Sequence, residues 1–290
     1  MSIPSFEDPR AVLKRHGLAP KRSFSQNFLV AEGVVESIAA AAVQDGTEVV
    51  VELGPGCGTL TTAILRRGTR VVAVERDRDM IRVLEDELRD VPTFEVVPGD
   101  AASVDLRALR DRLATPIAVA GNLPYAITGE ILRHLVDSAV AFTSAVVMVQ
   151  REVRDRLLAA PGTGDYGALT VFVQARMRVE SVVLVPRGAF HPPPKVGSAV
   201  VRLTPLDPPR AEETVAFRRV VRAAFQQRRK VLRNALRSVA PTEAFDAAVA
   251  DLHIDPGVRG EVLSVEQFGA LARALEPWLV PGGPGGTADG

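Results

Sequence analysis

The stretch AGNLPYAIT places Asn122, Pro124 and Tyr125 directly after a short apolar run. The apolar run is typical of a buried strand, and residues 128–136 are typical of a helix, which we expect the Thr128 hydroxyl to cap. The polar corner would then lie at the carboxyl end of a strand, where open α/β sheets bind their ligands. A carboxamide and a turn carbonyl can accept hydrogen bonds, and a tyrosine ring offers a flat face, so this corner could hold the amino group of an aromatic base.

A glycine-rich turn lies earlier in the chain, in VVVELGPGCGTLTTAI. Strand-like residues run into Gly54, Gly56 and Gly58 before a helix begins, so that backbone can approach a ligand closely. Alone this turn is weak evidence, because a dinucleotide site usually has G-x-G-x-x-G. Glu52 is an acid inside an apolar strand end, and Glu75 closes the next strand, where a carboxylate could accept both hydroxyls of a ribose. An acid at the Glu75 position serves NAD and S-adenosylmethionine equally well.

A third acid, Asp100, follows the next strand in VVPGDA. It could accept a hydrogen bond from an adenine amino group, although an isolated aspartate here is more typical of a helix N-cap. Acids at the ends of three successive strands, together with the glycine turn, outline a nucleoside pocket. The pocket has no phosphate-binding lysine, which favours S-adenosylmethionine over a nucleoside triphosphate.

The NLPY corner favours methyl transfer over hydride transfer. The exocyclic amine of adenine is a poor nucleophile because its lone pair is delocalised into the ring. Acceptors that hold both amine hydrogens free that pair, and the Asn122 side-chain oxygen and the Leu123 backbone carbonyl are the candidates. Pro124 would fix the turn, and Tyr125 would stack on the base. An ordinary β-turn with a packed tyrosine is the structural alternative.

A second aromatic corner lies in GAFHPPPKVGSAVVRL. Three consecutive prolines stiffen it, and Phe190 just before them is a candidate second wall for a flipped base. His191 needs no catalytic role, because the amine can lose its proton after it has attacked the methyl group.

The elements that must position these residues alternate between apolar runs and amphipathic stretches up to about residue 205. This alternation predicts a doubly wound, mostly parallel, seven-stranded Rossmann-like sheet with helices at 34–43 and 80–88 among others. The predicted strands are 48–53, 70–74, 93–97, 117–120, 145–149, 179–185 and 198–203. A proline-rich break at 204–210 then predicts a boundary, with a first domain at 1–207, a smaller all-helical, RNA-binding domain at 208–280, and a disordered tail at 281–290.

Composition limits the functional classes. The chain has 290 residues, 47% of them hydrophobic, and a single cysteine, Cys57, which excludes an internal disulfide or a multi-cysteine zinc site. We expect a cytoplasmic protein, because we find neither a signal peptide nor a membrane-spanning stretch. We also expect a monomer with no metal. The formal net charge is zero, but residues 218–237 carry eight basic side chains and no acidic one. Lys14, Arg15, Lys21 and Arg22 form a second basic cluster, and such runs are either solvated helix faces or contacts to an anionic polymer.

These motifs resemble the ribosomal RNA adenine dimethyltransferase family, and most closely its members that dimethylate two adjacent adenosines near the 3′ end of small-subunit ribosomal RNA. The matching stretches follow the family's order: SQNFL, ELGPGCGTLT, Glu75, GDA, NLPY, FHPPPKVGS and AFQQRRKVLRNAL. NLPY, F-x-P-P-P-K-V and QRRK-x-LRNAL in succession are very specific. The resemblance implies S-adenosyl-L-methionine as cofactor and ribosomal RNA of an assembling small subunit as partner.

The resemblance also assigns residue roles. For the cofactor it implies Gln26, Asn27, Leu29, Glu52, Gly54, Gly56, Gly58, Glu75, Asp100, Ala101 and Asn122. For catalysis it implies Asn122, Leu123, Pro124, Tyr125 and Phe190. For RNA, the basic clusters and the QRRK pattern predict Lys21, Arg22, Arg222, Arg228, Arg229, Lys230 and Arg233. Ser25 departs from the glycine usual in the family, which affects the flexibility expected of this loop.

Three other functions share parts of this pattern. A large-subunit methyltransferase that confers antibiotic resistance more often has an isoleucine in the NLPY motif and lacks QRRK-x-LRNAL. Relatives similar to mitochondrial transcription factors use the same fold as a non-catalytic binding module, whereas an intact catalytic corner favours an enzyme. An NAD dehydrogenase would need a catalytic acid or base opposite the glycine turn, and the sequence shows none there.

Overall fold

The computed structural model describes residues 3–21 and 26–279. The chain divides into two compact units. The first contains the described residues up to Arg154 and residues 178–205, and the second contains residues 155–177 and the described residues from Leu206 onward. The expected boundary after residue 207 lies close to the observed one, but the expectation of an uninterrupted first domain is wrong for residues 155–177. The predicted tail at 281–290 lies outside the described residues.

The first unit is built on a seven-stranded sheet, and a separate two-stranded ladder joins β1 to β8. The strands are β1 Phe28–Leu29, β2 Val49–Leu53, β3 Arg70–Glu75, β4 Phe94–Pro98, β5 Ile117–Asn122, β6 Phe142–Gln150, β7 Met177–Val185, β8 Phe190–His191 and β9 Ser198–Pro205. Their order in the large sheet is β4-β3-β2-β5-β6-β9-β7. β2 pairs in parallel with both β3 and β5, so the chain reverses its direction of winding between β2 and β5. This reversal is the point where doubly wound sheets open a ligand crevice.

All seven predicted strands of the sheet are confirmed. The apolar residues of β2, β5 and β6 are buried on both faces, which is the pattern of central parallel strands. β6 begins at Phe142, three residues before its predicted start, and β5 continues to Asn122, two residues beyond its predicted end. Asn122 therefore belongs to the last position of a strand, where backbone pairing with β6 holds it.

The helices of the described residues are α1 Pro9–Arg15, α2 Glu32–Ala42, α3 Thr59–Leu65, α4 Arg78–Glu87, α5 Leu106–Leu113, α6 Thr128–Asp137, α7 Arg151–Leu158, α8 Ala168–Arg176, α9 Val215–Gln226, α10 Leu232–Ala235, α11 Thr242–Asp251 and α12 Val265–Leu275. None of them is long and apolar enough to cross a lipid bilayer. Aspartate side chains cap α1, α4 and α5: Asp8 accepts from Arg10 N, Asp77 accepts from Asp79 N, and Asp105 accepts from Arg107 N and Ala108 N.

The predicted cap of α6 is wrong. Thr128 is already inside the helix, with φ −55° and ψ −40°, and Ile127 precedes it without a side-chain cap. Because Thr128 has helical backbone angles, its hydroxyl donates backward to the Pro124 carbonyl at 3.1 Å. This bond ties the first turn of α6 to the proline of the NLPY corner.

The second unit is helical and has its own core. Tyr166, Phe217, Phe245 and Phe268 are fully buried there, and the Tyr166 hydroxyl donates to the Leu263 carbonyl at 2.9 Å. From Leu206 to Leu279 the structure contains no strand, as the sequence predicts. Because aromatic rings bury large apolar areas, these four side chains contribute strongly to the stability of the unit.

Candidate active site

A cleft opens at the carboxyl ends of β2, β3, β4 and β5. It is lined by the glycine turn after β2, by Glu75 and Asp100 at the ends of β3 and β4, by the NLPY corner after β5, and by residues 26–29. The topology thus brings together four motifs that are separated by about a hundred residues in the chain. A nucleoside site at these strand ends is what the sequence predicts.

The glycine turn has a backbone that other residues rarely adopt. Gly54, Gly56 and Gly58 have φ of +70°, +58° and +84°. A Cβ on Gly56 would lie 2.9 Å from Cε1 of Phe28, so a side chain at this position would push Phe28 aside as well as strain the turn. Gly54 and Gly56 present backbone to the cleft. Gly58, which was also predicted to contact the cofactor, is instead buried, and a Cβ there would lie 3.0 Å from Cδ2 of Leu84.

Glu75 holds the turn together while it faces the cleft. Its Oε1 accepts from Arg76 N at 2.9 Å and from Asp77 N at 2.8 Å, and its Oε2 accepts from Gly56 N at 3.2 Å. Burial raises the pKa of Glu75, and the three backbone donors oppose that rise. A carboxylate has about four acceptor positions, so this one retains capacity for a ligand hydroxyl.

Glu52 is an acid with 1% of its surface exposed. Its Oε2 accepts from the Thr61 hydroxyl at 2.6 Å, and among the described residues nothing donates to Oε1. Burial raises the pKa of Glu52 to about 8, the Thr61 bond opposes this rise, and the negative charge of Glu75 adds to it. A cation in the cleft would favour the ionised form, so Glu52 fits the positively charged methionine end of S-adenosylmethionine.

The Glu52→Gln variant should change how stability depends on pH. Because the pKa of Glu52 is raised in the folded state, the fold binds this proton more tightly than the unfolded chain does. Stability should therefore fall as pH rises from the ordinary glutamate pKa of 4.5 to about 8, and the variant should lack this contribution. In melting curves from pH 5 to 9, the melting temperature of the variant should rise relative to that of the wild type as pH rises.

The matched control for this pH prediction is Glu48→Gln, at an exposed acid just before the same strand. Its melting temperature should follow that of the wild type throughout. Parallel curves for Glu52→Gln and the wild type would contradict the assignment.

Asp100 is partly engaged by protein groups. Its Oδ1 accepts from Ala102 N at 2.9 Å, and its Oδ2 lies 3.0 Å from Nη1 of Arg76. Asp100 is not a helix N-cap, because a turn follows it and the next helix begins at Leu106 with Asp105 as its cap. Asp100 and Ala101 both line the cleft. The predicted contact of Asp100 to an adenine amino group remains a prediction.

The orientation of the Asn122 carboxamide follows from its partner. Its Nδ2 donates to the backbone carbonyl of Asn27 at 2.9 Å. A carbonyl can only accept, so the amide nitrogen must face Asn27, and the side-chain Oδ1 is the atom left for a ligand. The neighbouring Leu123 side chain is buried, which holds the next carbonyl of the corner in place.

Tyr125 is held from its hydroxyl end. The Tyr125 hydroxyl forms a short hydrogen bond with Ser198, which is buried at the start of β9. Burial raises the pKa of Tyr125, and the Ser198 bond opposes that rise. With its hydroxyl anchored, the ring is half-buried and lines the cleft, as a stacking platform requires.

Phe190 is not brought into the cleft. Its side chain is 3% exposed and packs in the core of the first unit, so the prediction of a second stacking wall is not met in this structure. The reason is its backbone pairing: β8 pairs antiparallel with β1, Leu29 opposite Phe190, and this turns the phenylalanine inward. The same pairing holds residues 28–29 at the cleft, where Phe28 lies against the glycine turn.

Sequence reasoning missed two residues that support the site. Ser198 anchors Tyr125, and no sequence signal announces that contact, because the two residues are 73 positions apart. Asp77 is 2% exposed and binds both Gln26 and Lys21. An aspartate directly before a helix is a recognisable N-cap signal, but its second set of partners depends on tertiary structure.

The predicted RNA-binding residues fall into two groups in the second unit. Arg228 contacts Glu261 at 2.7 Å and the Gly164 carbonyl at 2.6 Å, and Arg233 pairs with Asp246 at 2.5 Å. The Arg233 guanidinium holds the pKa of Asp246 below its usual range. Three other cations, Arg222, Arg229 and Lys230, are exposed, and within the described part of the chain no carboxylate pairs with them.

The N-terminal cations behave differently. The Lys21 ammonium lies 2.6 Å from both Asp77 and Asp79, which raises its pKa and makes it part of the fold's own bonding. Arg22 and Ser25 lie outside the described residues. Their predicted roles therefore stay predictions.

One group of side chains has the composition of a metal site. Ligand-type atoms of His16, Asp86 and Glu87 lie within 4.8 Å of one another. However, Glu87 is already 2.7 Å from the His16 ring and 2.8 Å from Arg15. Arg15 supplies a positive charge to Glu87 and Arg89 supplies one to Asp86, so the cluster is an ion-pair network in which the Arg15–Glu87 bond fastens α1 to α4.

A family model described as ribosomal RNA adenine dimethylase matches residues 17–276. The chain belongs to this family. A ribosomal RNA small subunit methyltransferase A of Myxococcus xanthus is 46% identical to this dimethylase, covering 93% of this chain and 96% of its own. The protein of the same name from Streptococcus equi subsp. zooepidemicus is 40% identical, covering 95% and 99%.

Solved structures share the fold of this dimethylase. A dimethyladenosine transferase from Plasmodium falciparum aligns with a TM-score of 0.74 and 24% identity, covering 86% of this chain and 98% of its own. The 23S rRNA methyltransferase ErmE aligns with a TM-score of 0.66 and 28% identity, covering 86% and 100%. The predicted Rossmann-like methyltransferase fold is confirmed. This family member is an S-adenosylmethionine-dependent ribosomal RNA adenine methyltransferase.

Proposed function

We propose that this dimethylase transfers methyl groups to the N6 amines of two adjacent adenosines near the 3′ end of small-subunit ribosomal RNA during ribosome assembly. The relatives that are 46% and 40% identical are both named ribosomal RNA small subunit methyltransferase A, and the similarity covers nearly their whole length. The observation that carries the chemistry is the Asn122 carboxamide, whose nitrogen is held by Asn27 O so that its oxygen serves the substrate.

The proposed catalytic step depends on two acceptors at the corner. Asn122 Oδ1 and the Leu123 carbonyl each accept one hydrogen of the target N6 amine, which withdraws the nitrogen lone pair from the ring and aims it at the methyl donor. Pro124 sets the direction of the carbonyls, and Tyr125 stacks on the base. As the nitrogen forms its bond to the methyl carbon, the carbon–sulfur bond of the donor would break, leaving its electron pair on the departing thioether sulfur. The methylated amine then releases its surplus proton to water, so no strong protein base is needed.

The cofactor side of the cleft fits S-adenosylmethionine. When bound, this cofactor supplies an electrophilic methyl group on a sulfonium. Glu75 would hold the ribose hydroxyls and Asp100 with Ala101 the adenine, while Glu52 and the glycine turn would accommodate the methionine end. Two observations support this arrangement: Gly54, Gly56 and Glu52 line the same cleft, and Glu52 retains an acceptor atom that no described residue uses.

The test is to label the product. The protein is incubated with radiolabelled S-adenosylmethionine and either immature small subunits or mature large subunits, and the labelled nucleotide is mapped. Two labelled adjacent adenosines in the small-subunit RNA are expected. Label in the large subunit alone would instead favour the activity named for ErmE.

Two further measurements test the state of the protein itself. Sedimentation would test the proposed monomer, and fractionation of cells would test the proposed cytoplasmic location.

The basic segment of the second unit provides a further prediction. If Arg222, Arg229 and Lys230 bind RNA phosphates, replacing all three with alanine should weaken binding to the small-subunit particle. The slope of log affinity against log salt should flatten by about 0.7–0.9 per lost contact. Filter binding over a salt series would measure this, with cofactor affinity as the unchanged control.

Arg228→Ala and Arg233→Ala serve as the comparison for the salt series, because both side chains are already paired within the second unit. They should lower the melting temperature and leave the salt slope in place. An unchanged salt slope for the triple variant would contradict its proposed RNA contacts. A flattened salt slope for Arg228→Ala or Arg233→Ala would show that those residues also contact RNA.

A further inference from the structure

Asn122 depends on a carbonyl that belongs to a different part of the chain. The carbonyl of Asn27 lies 95 residues away in sequence and is the acceptor that orients the Asn122 amide. Any group that fixes residues 26–27 therefore also fixes the atom that Asn122 presents to a substrate.

Residues 26–27 are held from two sides. On one side, the residues that directly follow them are fixed, because Phe28 and Leu29 of β1 pair with β8 and Val30 N donates to Ala189 O at 2.8 Å. On the other side, the Gln26 carboxamide accepts from Lys21 N at 2.9 Å through Oε1 and donates to Asp77 Oδ2 at 2.8 Å through Nε2. Both polar atoms of the Gln26 side chain thus have protein partners, which differs from the cofactor contact that the family resemblance implies for this residue.

Asp77 is well suited to be the fixed end of this chain of bonds. It is 2% exposed, and its Oδ1 accepts from Asp79 N at 3.0 Å and from the Lys21 ammonium at 2.6 Å. Its backbone N–H also donates to Glu75 at 2.8 Å, so the same residue borders the proposed ribose site. A buried carboxylate with charged and neutral donors keeps its position better than an exposed one.

We propose that Asp77 is a positioning residue, which acts through Gln26 and the Asn27 carbonyl to set the orientation of the Asn122 carboxamide. The inference rests on the proposed role of Asn122 in catalysis. It assigns to Gln26 a role in aligning the catalytic corner, and it explains why a buried aspartate serves both a helix cap and residues 26–27.

The polarity of the Asp77–Gln26 bond allows a reciprocal exchange. In Asp77→Asn, the oxygen that faces Gln26 Nε2 becomes an amide nitrogen, so two donors meet, while the remaining oxygen can still cap α4. Rotating the Gln26 amide does not help, because its nitrogen would then face Lys21 N. In Gln26→Glu, two carboxylate oxygens meet instead. Combining both changes restores a donor opposite an acceptor with reversed direction.

The first measurement is NMR of the Asn122 side-chain amide in uniformly labelled protein, which requires no activity. Asp77→Asn should shift this resonance and speed its hydrogen exchange, and the double variant should restore both. Asp105→Asn, the equivalent cap substitution on α5, should leave them unchanged. If Asp77→Asn does not fold, Gln26→Glu breaks the same bond from the other side.

The second measurement is the single-turnover methylation rate on small-subunit particles. We expect a loss of about tenfold for each single variant, recovery in the double variant, and nearly constant affinity for S-adenosylhomocysteine, because the misplaced group acts on the target amine. An unchanged Asn122 resonance in Asp77→Asn, or a double variant that folds and binds cofactor without recovering, would overturn the proposal. A wild type that labels no adenosine would contradict the proposed function while the NMR result still decides the positioning role.

Discussion

Asn122→Ala is expected to lower the methyl-transfer rate by about a hundredfold or more, because it removes an oriented acceptor from the reacting amine. Asn122 Nδ2 is bound by Asn27 O, so the wild-type oxygen is presented in one direction, and alanine supplies neither atom. Single-turnover assays with saturating cofactor would isolate this step. The affinity for S-adenosylhomocysteine, measured by calorimetry, should change little.

The matched control for Asn122→Ala is Thr115→Ala, just before the opposite end of the same strand, where the hydroxyl donates to the exposed Glu48. It should retain the wild-type rate. Wild-type turnover in Asn122→Ala would refute the role of this side chain, and a melting temperature well below that of Thr115→Ala would show a structural role instead.

Glu75→Gln is expected to have the largest effect on cofactor binding. The glutamine removes a negative charge, and its amide nitrogen must face one of the backbone donors that now bind the carboxylate, either Gly56 N or the pair Arg76 N and Asp77 N. A hydrogen bond to a charged group contributes roughly 1.5–3 kcal/mol. The dissociation constant for S-adenosylhomocysteine should therefore rise by about ten- to hundredfold.

Calorimetry would measure the Glu75→Gln effect directly, and Glu95→Gln is the control. Glu95 lies on β4 of the same sheet and pairs with Arg70 and Arg112 outside the cleft. Its substitution should leave cofactor affinity intact. Equal affinities for the two variants would reject Glu75 as the ribose acceptor.

Much of the site could be inferred from local sequence. Apolar runs followed by Glu52, Glu75, Asp100 and Asn122 indicate strands that end in polar groups, and parallel strands place such ends along one edge. The three glycines likewise announce a turn with positive φ, which the structure shows at all three positions. These features depend on neighbours in the chain, so residue order by itself specifies them.

Contacts between distant segments could not be inferred in this way. Phe190 was expected at the cleft, but pairing of β8 with β1 buries it, and burial depends on which strands meet in space. Arg228 and Arg233 look like free cations in a run without acids, yet Glu261 and Asp246 come to them from other turns of the second unit. A charge run shows which side chains are cationic, and only folding decides which of them find a carboxylate.

The amino-acid sequence by itself therefore determined the sheet, the glycine turn, the acids at the strand ends and the chemical type of the NLPY corner, because each follows from periodicity and local backbone preference. Tertiary structure decided the direction of the Asn122 amide, the anchoring of Tyr125 by Ser198 and the link from Asp77 to Gln26. These three depend on side chains separated by 51 to 95 residues, whose meeting is governed by packing of the whole unit.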